Sequence, residues 1–347
     1  SATCGSFATG VIFYERFLEG AWAYLVMVPA LYIGFSYFRR RLGAPPEAID
    51  SRLSSVINGR VIGPSKANAD TAYKIRKILV PMGGKVSSDI AFYSAIRIGA
   101  KFGAGVVPAH VIDSERQGSH RSKRYLDELT RQWSDDFVDL ELLFAQGNPQ
   151  VELLNICESG DFDLICMASR GLGSISRHIS PTLAQRLIFT TTPPVLVFRP
   201  SDNWVSRSTS FSRILVPLDG SAVAEQVLPY VHAWANAYGS QVTLLAVPEI
   251  QGEPELAKKL EQYLEGLRSR TFGSDSGVKC IVAGSGPART ILREAEEGEA
   301  DLIVLASHGR GGLDRQAFVK IGSVSESVLA SSDIPVLFIS AKKMPSS

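Results

Sequence analysis

The sequence predicts two successive α/β domains, each a parallel sheet covered on both faces by helices, preceded by one long apolar helix. Three observations carry that prediction. Short apolar runs alternate with longer amphipathic segments over most of the chain, the alternating unit occurs twice, and 19 consecutive residues near the start carry no charge. With 347 residues, 45% of them hydrophobic, the chain has material for two cores at about 150 residues per domain. The balance of 36 basic and 35 acidic residues, net +1, argues against a nucleic-acid surface, which carries a basic excess. Any partner has to be sought in local sites.

The first element is "GAWAYLVMVPALYIGFSYF", residues 20–38. At ~1.5 Å per residue a helix of that length covers ~28 Å, close to a ~30 Å hydrocarbon core. Trp22, Tyr24 and Tyr37 lie near its ends, where amphipathic rings favour lipid headgroups. Arg39, Arg40 and Arg41 follow at once, which sets that end toward the cytoplasm. Pro29 breaks a soluble helix but is tolerated in a membrane span whose neighbours satisfy the freed carbonyl. A signal peptide fits poorly, because Glu15 and Glu19 precede the run and the arginines follow it. A buried core helix is the remaining alternative, against which stands a stretch hydrophobic on every face. With Ser1 as the first residue, the expectation is the C-terminal part of a longer chain whose last membrane helix this is. Residues 42–74, rich in Pro, Gly, Ser and small polar residues, then read as a linker, with a short helix around Glu47 to Val56.

The internal repeat organises the rest. "KILVPMGG" from Lys77 is answered by "RILVPLDG" from Arg213, "FDLICMASRG" from Phe162 by "ADLIVLASHG" from Ala300, and "PPVLVF" from Pro193 by "IPVLFI" from Ile334. Order and spacing are kept, so two copies of one domain are expected. The first occupies 75–200 and the second 213–341, joined by a polar linker at 201–212 and followed by a tail at 342–347.

Each copy reads β-α-β-α-β-α-β-α-β. In the second, strands are expected at Ile214–Pro217, Gln241–Val247, Val278–Ala283, Leu302–Ala306 and Val336–Ser340. Helices are expected at Ala222–Tyr238, Glu253–Thr271, Ala288–Glu297 and Ser323–Ala330. Runs such as "DLIVLA", apolar on both faces, suit a parallel sheet between two helical layers. Ligands of such sheets gather at the carboxyl ends of the strands, near the topological switch point.

One loop at such an end stands out. After Ala306 come Ser307, His308, Gly309, Arg310, Gly311 and Gly312, and Gly322 and Ser323 open the last helix. Glycine lets backbone N–H groups approach an anion, and the first turn of a helix leaves its N–H groups available to phosphate. Ser323 is placed to cap that helix or to donate to the same anion. Gly-rich loops are also simply turns, so the loop by itself leaves both readings open. Asp219 ends the first strand at the same edge, where a carboxylate accepts from ribose hydroxyls. The chain contains neither G-x-G-x-x-G nor G-x-x-x-x-G-K-[ST], which disfavours a dinucleotide fingerprint or a P-loop NTPase.

Two resemblances follow from these stretches. The spacing G-x2-G-x9-G-[ST], met by Gly309, Gly312, Gly322 and Ser323, with an aspartate after the first strand, resembles the ATP-binding class of the universal stress protein (UspA) family, and the repeat carries the likeness over about 270 residues. "FLEGAWAYLVMVPALYIGFSYFRRRLG" resembles the final membrane helix of bacterial amino acid permeases of the amino acid–polyamine–organocation superfamily.

The first resemblance implies two tandem Rossmann-type domains, each a five-stranded parallel sheet in the order 3-2-1-4-5, pairing through the last strand. It implies an adenine-nucleotide site in the second copy: Asp219 on the ribose with Pro217 and Leu218 beside it, the backbone around Val247 against adenine, and Gly309, Gly312, Gly322, Ser323, Val324 and Ser325 around the phosphates. ATP is the expected ligand, with Mg2+ as its companion; AMP and other adenine nucleotides stay open. One departure is Ala306, where many relatives carry glycine.

The first copy departs further. Gly83 stands in the place of Asp219, its loop is shorter, and Pro181 and Thr182 replace Gly322 and Ser323; proline supplies no N–H to an anion. That copy is expected to bind nucleotide poorly or not at all and to pack against the second as a pseudo-dimer, or to pair across chains as a homodimer. His308 has no acid or nucleophile placed beside it by any motif and reads as a structural loop histidine. Arg310 and Lys320 are placed to lend charge to phosphate or to stand solvated. The five histidines and four cysteines show no metal-ligand spacing, and Cys4, Cys157, Cys166 and Cys280 read as reduced, buried thiols. The expected whole is a regulatory nucleotide-binding module, in the cytoplasm of a bacterium or archaeon, tied through residues 20–38 to an amino acid permease-like transporter in the plasma membrane. A slow ATP hydrolase and a purely structural dimerisation module are the alternatives.

Overall fold

The computed structural model describes residues 73–83, 86–112, 124–128, 131, 139–169, 183–199, 210–248, 254–273, 277–307 and 322–340. The expected membrane helix at 20–38, the linker helix near Glu47, Cys4, and the loop carrying Gly309 and Gly312 lie outside these residues. Among the described residues no helix is long and apolar enough to cross a membrane.

The first half runs β1 (Lys77–Pro81), α1 (Val86–Phe102), β2 (Gly105–Ile112), β3 (Leu143–Gln146), α2 (Pro149–Ser159), β4 (Leu164–Ala168), α3 (Leu183–Thr190) and β5 (Val195–Phe198). The second runs β6 (Arg213–Leu218), α4 (Ala222–Glu225), α5 (Leu228–Tyr238), β7 (Gln241–Ala246), α6 (Pro254–Thr271), β8 (Lys279–Val282), α7 (Pro287–Glu297), β9 (Leu302–Ala306), α8 (Ser323–Ser331) and β10 (Val336–Ile339). The strands form one ten-stranded sheet in the order β3-β2-β1-β4-β5-β10-β9-β6-β7-β8, each half therefore reading 3-2-1-4-5. All pairings are parallel except β5 with β10, where Leu196 faces Leu337 across an antiparallel seam.

Successive strand residues point to opposite faces, so each strand feeds two cores. Ile78, Val80, Ile214 and Val216 pack with α1, α5 and α6; Leu79, Leu215, Ile303 and Leu305 pack with α2, α3, α7 and α8. Helices of both halves share each layer. Across the seam Phe102 of α1 meets Trp234 and Tyr238 of α5 at ring-centroid distances of 5.6 and 6.0 Å, and Phe211 closes on Trp234 at 4.9 Å. Tyr73 packs its ring on Tyr230 at 4.4 Å and donates its hydroxyl to the Asp163 carbonyl, so the chain enters the fold beside the second half.

The helix expected over Ala222–Tyr238 is two helices. Pro229 lacks the N–H that would bond the Glu225 carbonyl, and Gln226 and Val227 turn back onto Val223 and Ala224 instead. The two halves repeat details below the level of secondary structure. Asp163 Oδ2 accepts from the Arg76 and Lys77 amides, and Asp301 Oδ2 accepts from the Ser212 and Arg213 amides, each fixing the start of a first strand to the start of a fourth. Tyr125 donates to the buried Asp89, and Tyr263 donates to the buried Glu225 over 3.1 Å.

Candidate functional site

The β6–β9 pairing is limited to Ile214–Leu302 and Leu215–Ile303, although β6 runs on to Leu218 and β9 to Ala306. The ladder therefore stops short of the carboxyl ends, at the switch point where the chain leaves in opposite directions along the sheet. Pro217, which offers no N–H to a neighbour, stands in the unpaired part.

Asp219 follows β6 half-buried. Its Oδ1 accepts from the Ser221 amide at 2.9 Å, Gly220 between them sits at φ +80°, and Ser221 accepts from the Ala224 amide at 3.1 Å as the cap of α4. A side-chain turn of this kind fixes a carboxylate at the edge of the sheet. Pro217 and Leu218 are buried beneath it, and Val247, half-buried, follows β7 one strand over.

On the other side of β6, β9 ends in Ala306 and the buried Ser307. Ser307 donates its amide to Ile339 at 2.8 Å and accepts from the Gly322 amide at 3.1 Å, so the start of α8 is bound to the end of β9 although the intervening loop spans 308–321. The Ser325 hydroxyl donates to the Ala306 carbonyl at 3.0 Å, a second buried bond between helix and strand. The hydroxyl thus serves the packing of α8, while the Ser325 amide remains in its first turn. Gly322 is the N-cap and supplies no side-chain cap, so the first-turn amides of Ser323, Val324 and Ser325 have no intrahelical acceptor.

Asp219, Val247 and the Gly322–Ser325 turn thus line the carboxyl edge of three adjacent strands, β9, β6 and β7. At ~4.8 Å between strands that edge spans ~10 Å. Among the described residues no cluster of His, Cys, Asp and Glu is grouped to hold a metal ion.

The corresponding edge of the first half is built differently. Gly83 is exposed where Asp219 stands in the second half, and a Cβ there would meet nothing within 4 Å. The strand registers place His110 where the second half has Ala246. Its Nδ1–H donates to the Met82 carbonyl at 2.7 Å, and its ring lies edge-on to Phe144, so an imidazole sits against the end of β1.

Sequence reasoning missed three features. Ser307 as the acceptor for α8 was hidden because a strand-end serine carries no pattern. His110 is visible only once the β2 and β7 registers are aligned. Arg199, directly after β5, donates Nη1–H to the Ala330 carbonyl at 2.8 Å, and Gln185 of α3 donates to Glu326 of α8 at 3.3 Å; neither bond across the seam has a sequence signal. The thiols are as expected at Cys157 and Cys166, both buried, whereas Cys280 is only partly so because β8 is an edge strand.

Within each half, a parallel sheet in the order 3-2-1-4-5 covered by helices on both faces defines a doubly wound α/β protein. The sequence signature described as "Universal stress protein family" matches residues 74–199 and 210–340, and the chain belongs to that family. It is 30% identical over 215 residues to the universal stress protein Rv2005c of Mycobacterium tuberculosis, covering 58% of this chain and 68% of that one. A universal stress protein of Thermus aquaticus is 30% identical over 139 residues, 37% of this chain and 98% of its own. The crystal structure of a universal stress protein from Archaeoglobus fulgidus superposes with a TM-score of 0.59 at 21% identity, covering 78% of this chain and 97% of that one.

Proposed function

We propose that the second universal stress protein repeat binds one adenine nucleotide, ATP, along the β9–β6–β7 edge, and that the first repeat does not. The observation that carries this reading is the start of α8. Its first-turn amides lack an intrahelical acceptor, and the Gly322 bond to Ser307 sets them one strand from the fixed carboxylate of Asp219. Such amides bind phosphate, a strand-end carboxylate binds ribose hydroxyls, and the ~10 Å between β9 and β7 suits phosphates at one end and a base at the other. Gly309 and Gly312 complete the phosphate side in this reading, and Val247 meets the base. Mg2+ accompanies ATP through the phosphates. In the first repeat the missing carboxylate and the imidazole of His110 over β1 support an empty edge.

The module's role in this reading is regulatory. The uncharged run at 20–38 with Arg39–Arg41 after it supports a membrane anchor with both repeats on the cytoplasmic side. Nucleotide occupancy then biases an attached amino acid permease-like transporter, provided the transport states differ in nucleotide affinity. Calorimetry of the full chain with ATP tests the site. One site per chain, lost in Asp219→Ala and in Gly322→Glu, is the expected result. No heat at millimolar ATP refutes the site and leaves the two repeats a structural pair. Reconstituted transport that ignores nucleotide refutes the regulatory part alone.

A further inference from the structure

The two side-chain hydrogen bonds across the seam described above both reach α8. Arg199 belongs to the first half, immediately after β5, and its guanidinium donates to the Ala330 carbonyl in the last turn of α8. Gln185, on α3 of the first half, donates to Glu326 in the first turns of the same helix. A carbonyl in the last turn of a helix has no intrahelical donor, and a cation there also complements the helix dipole. The C-terminal end of α8 is therefore held by the other half of the molecule, while its N-terminal end is held by Ser307 and by Ser325 on Ala306.

The Arg199 bond runs one way, whereas Gln185 and Glu326 occupy equivalent positions of the two repeats and their bond ties α3 and α8 to each other. By the repeat, the residue that follows β10 as Arg199 follows β5 is Ser340, whose side chain is far too short to reach across as a guanidinium does. The half that receives the brace is the half that has Asp219 and the uncapped helix start; the half that gives it has Gly83 and His110 at its edge.

We infer that the first half positions the second: Arg199, holding the C-terminal end of α8, fixes the tilt of that helix about its bonds to β9 and so the direction in which the Ser323–Ser325 amides meet the phosphates. This rests on the nucleotide reading of the second repeat. Losing one bond to a charged donor at the far end of a nine-residue helix leaves the helix folded and tied to β9 at its N-terminal end, but free to tilt about those bonds. The resulting loss of affinity falls at the low end of ordinary coupling between sites, about fivefold.

The test compares Arg199→Met, Arg199→Lys and Asp163→Ala in the full chain. Asp163→Ala removes the strand clamp of the first half and touches nothing on α8. ATP affinity is read by calorimetry, thermal stability by calorimetric scanning, and the opening of α8 by hydrogen exchange of its amides without ligand. Expected are about fivefold weaker ATP binding and faster exchange in α8 for Arg199→Met. Both should return toward wild type in Arg199→Lys, which keeps one cationic donor, and Asp163→Ala should lower stability with unchanged affinity. Wild-type affinity in Arg199→Met overturns the proposal, as does an equal loss of affinity in Asp163→Ala. If the unaltered chain binds no ATP, the nucleotide reading falls and this role of Arg199 with it. The exchange rates then still decide whether the first half holds α8.

Discussion

Gly239 and Gly284 share one backbone conformation, φ +68°, in different surroundings, and substituting each by alanine separates backbone strain from crowding at the edge of the site. Gly239 ends α5, its N–H bonded to the Ala235 carbonyl, and a Cβ there meets nothing within 4 Å. Its alanine variant therefore loses only the left-handed penalty, about 1–2 kcal/mol. Gly284 turns the chain from β8 into α7, beside the strand that leads to Val247. A Cβ there lies 2.8 Å from Thr290 Cγ2 and closer still to Thr290 Oγ1. Thr290 has little room to yield: it is 2% exposed, β-branched, and donates its hydroxyl to Ser285 at 3.1 Å. Overpacking adds about 1–3 kcal/mol to the same backbone penalty, so Gly284→Ala should cost about 2–5 kcal/mol. Urea denaturation of both variants and of Gly284→Ala with Thr290→Ala measures this. The double variant should recover at least about 1 kcal/mol relative to the sum of the single changes. Equal losses for Gly239→Ala and Gly284→Ala, with additive behaviour of the double variant, would refute the crowding argument.

Three further outcomes follow from the described contacts. Asp301→Ala strips one acceptor from the Ser212 amide and hydroxyl and the Arg213 amide, and should lower stability by about 1–3 kcal/mol in urea while leaving the ATP site in place. Burial pushes the Cys157 thiol up to about 12 and the fully enclosed Cys166 higher still, so at pH 8 neither should react with a maleimide until the chain is denatured. Burial also raises the Asp89 carboxyl, against the lowering effect of its bond from Tyr125, and Oδ1 has no hydrogen-bond partner. The folded state thus favours the protonated acid: the stabilisation is full below the unfolded value of about 4 and is lost as pH rises through the raised folded value. Asp89→Asn should therefore melt above wild type at pH 7, with the gap closing toward pH 4; a gap that widens toward acid would contradict the argument.

What was legible in the sequence is what local pattern determines. Apolar runs matched β9 to the residue and the ends of the other strands of the second half to within one, because a strand buried on both faces admits few polar residues. The two-residue break inside Ala222–Tyr238 was hidden because both pieces keep one apolar face, and Pro229 alone marks the interruption. Asp219, Val247 and the start of α8 were legible as strand-end positions, and the fold brings all of these to one edge. The partners of α8 were not. Arg199 and Ala330 lie 131 residues apart and meet only because β5 and β10 pair antiparallel. No spacing rule within one repeat encodes a contact made between repeats.

That contrast explains how the two halves have diverged. Positions that hold a half together keep their chemistry in both: Asp163 and Asp301 clamp strands, and Asp89 with Tyr125 answers Glu225 with Tyr263. Each of these contacts closes within its own half, so what it contributes does not depend on the other repeat. Positions at the carboxyl edge have not been kept alike: Gly83 against Asp219, His110 against Ala246. The repeats differ at the seam as well: Ile98 is the equivalent of Trp234, and Arg199 the equivalent of Ser340. A seam between identical halves would place the same contact twice. Here the large indole lies on the side that carries Asp219, and the cationic donor reaches toward that side from the half without it. The asymmetry at the seam therefore matches the asymmetry at the edge, as it must if one repeat has become the frame in which the other holds its site.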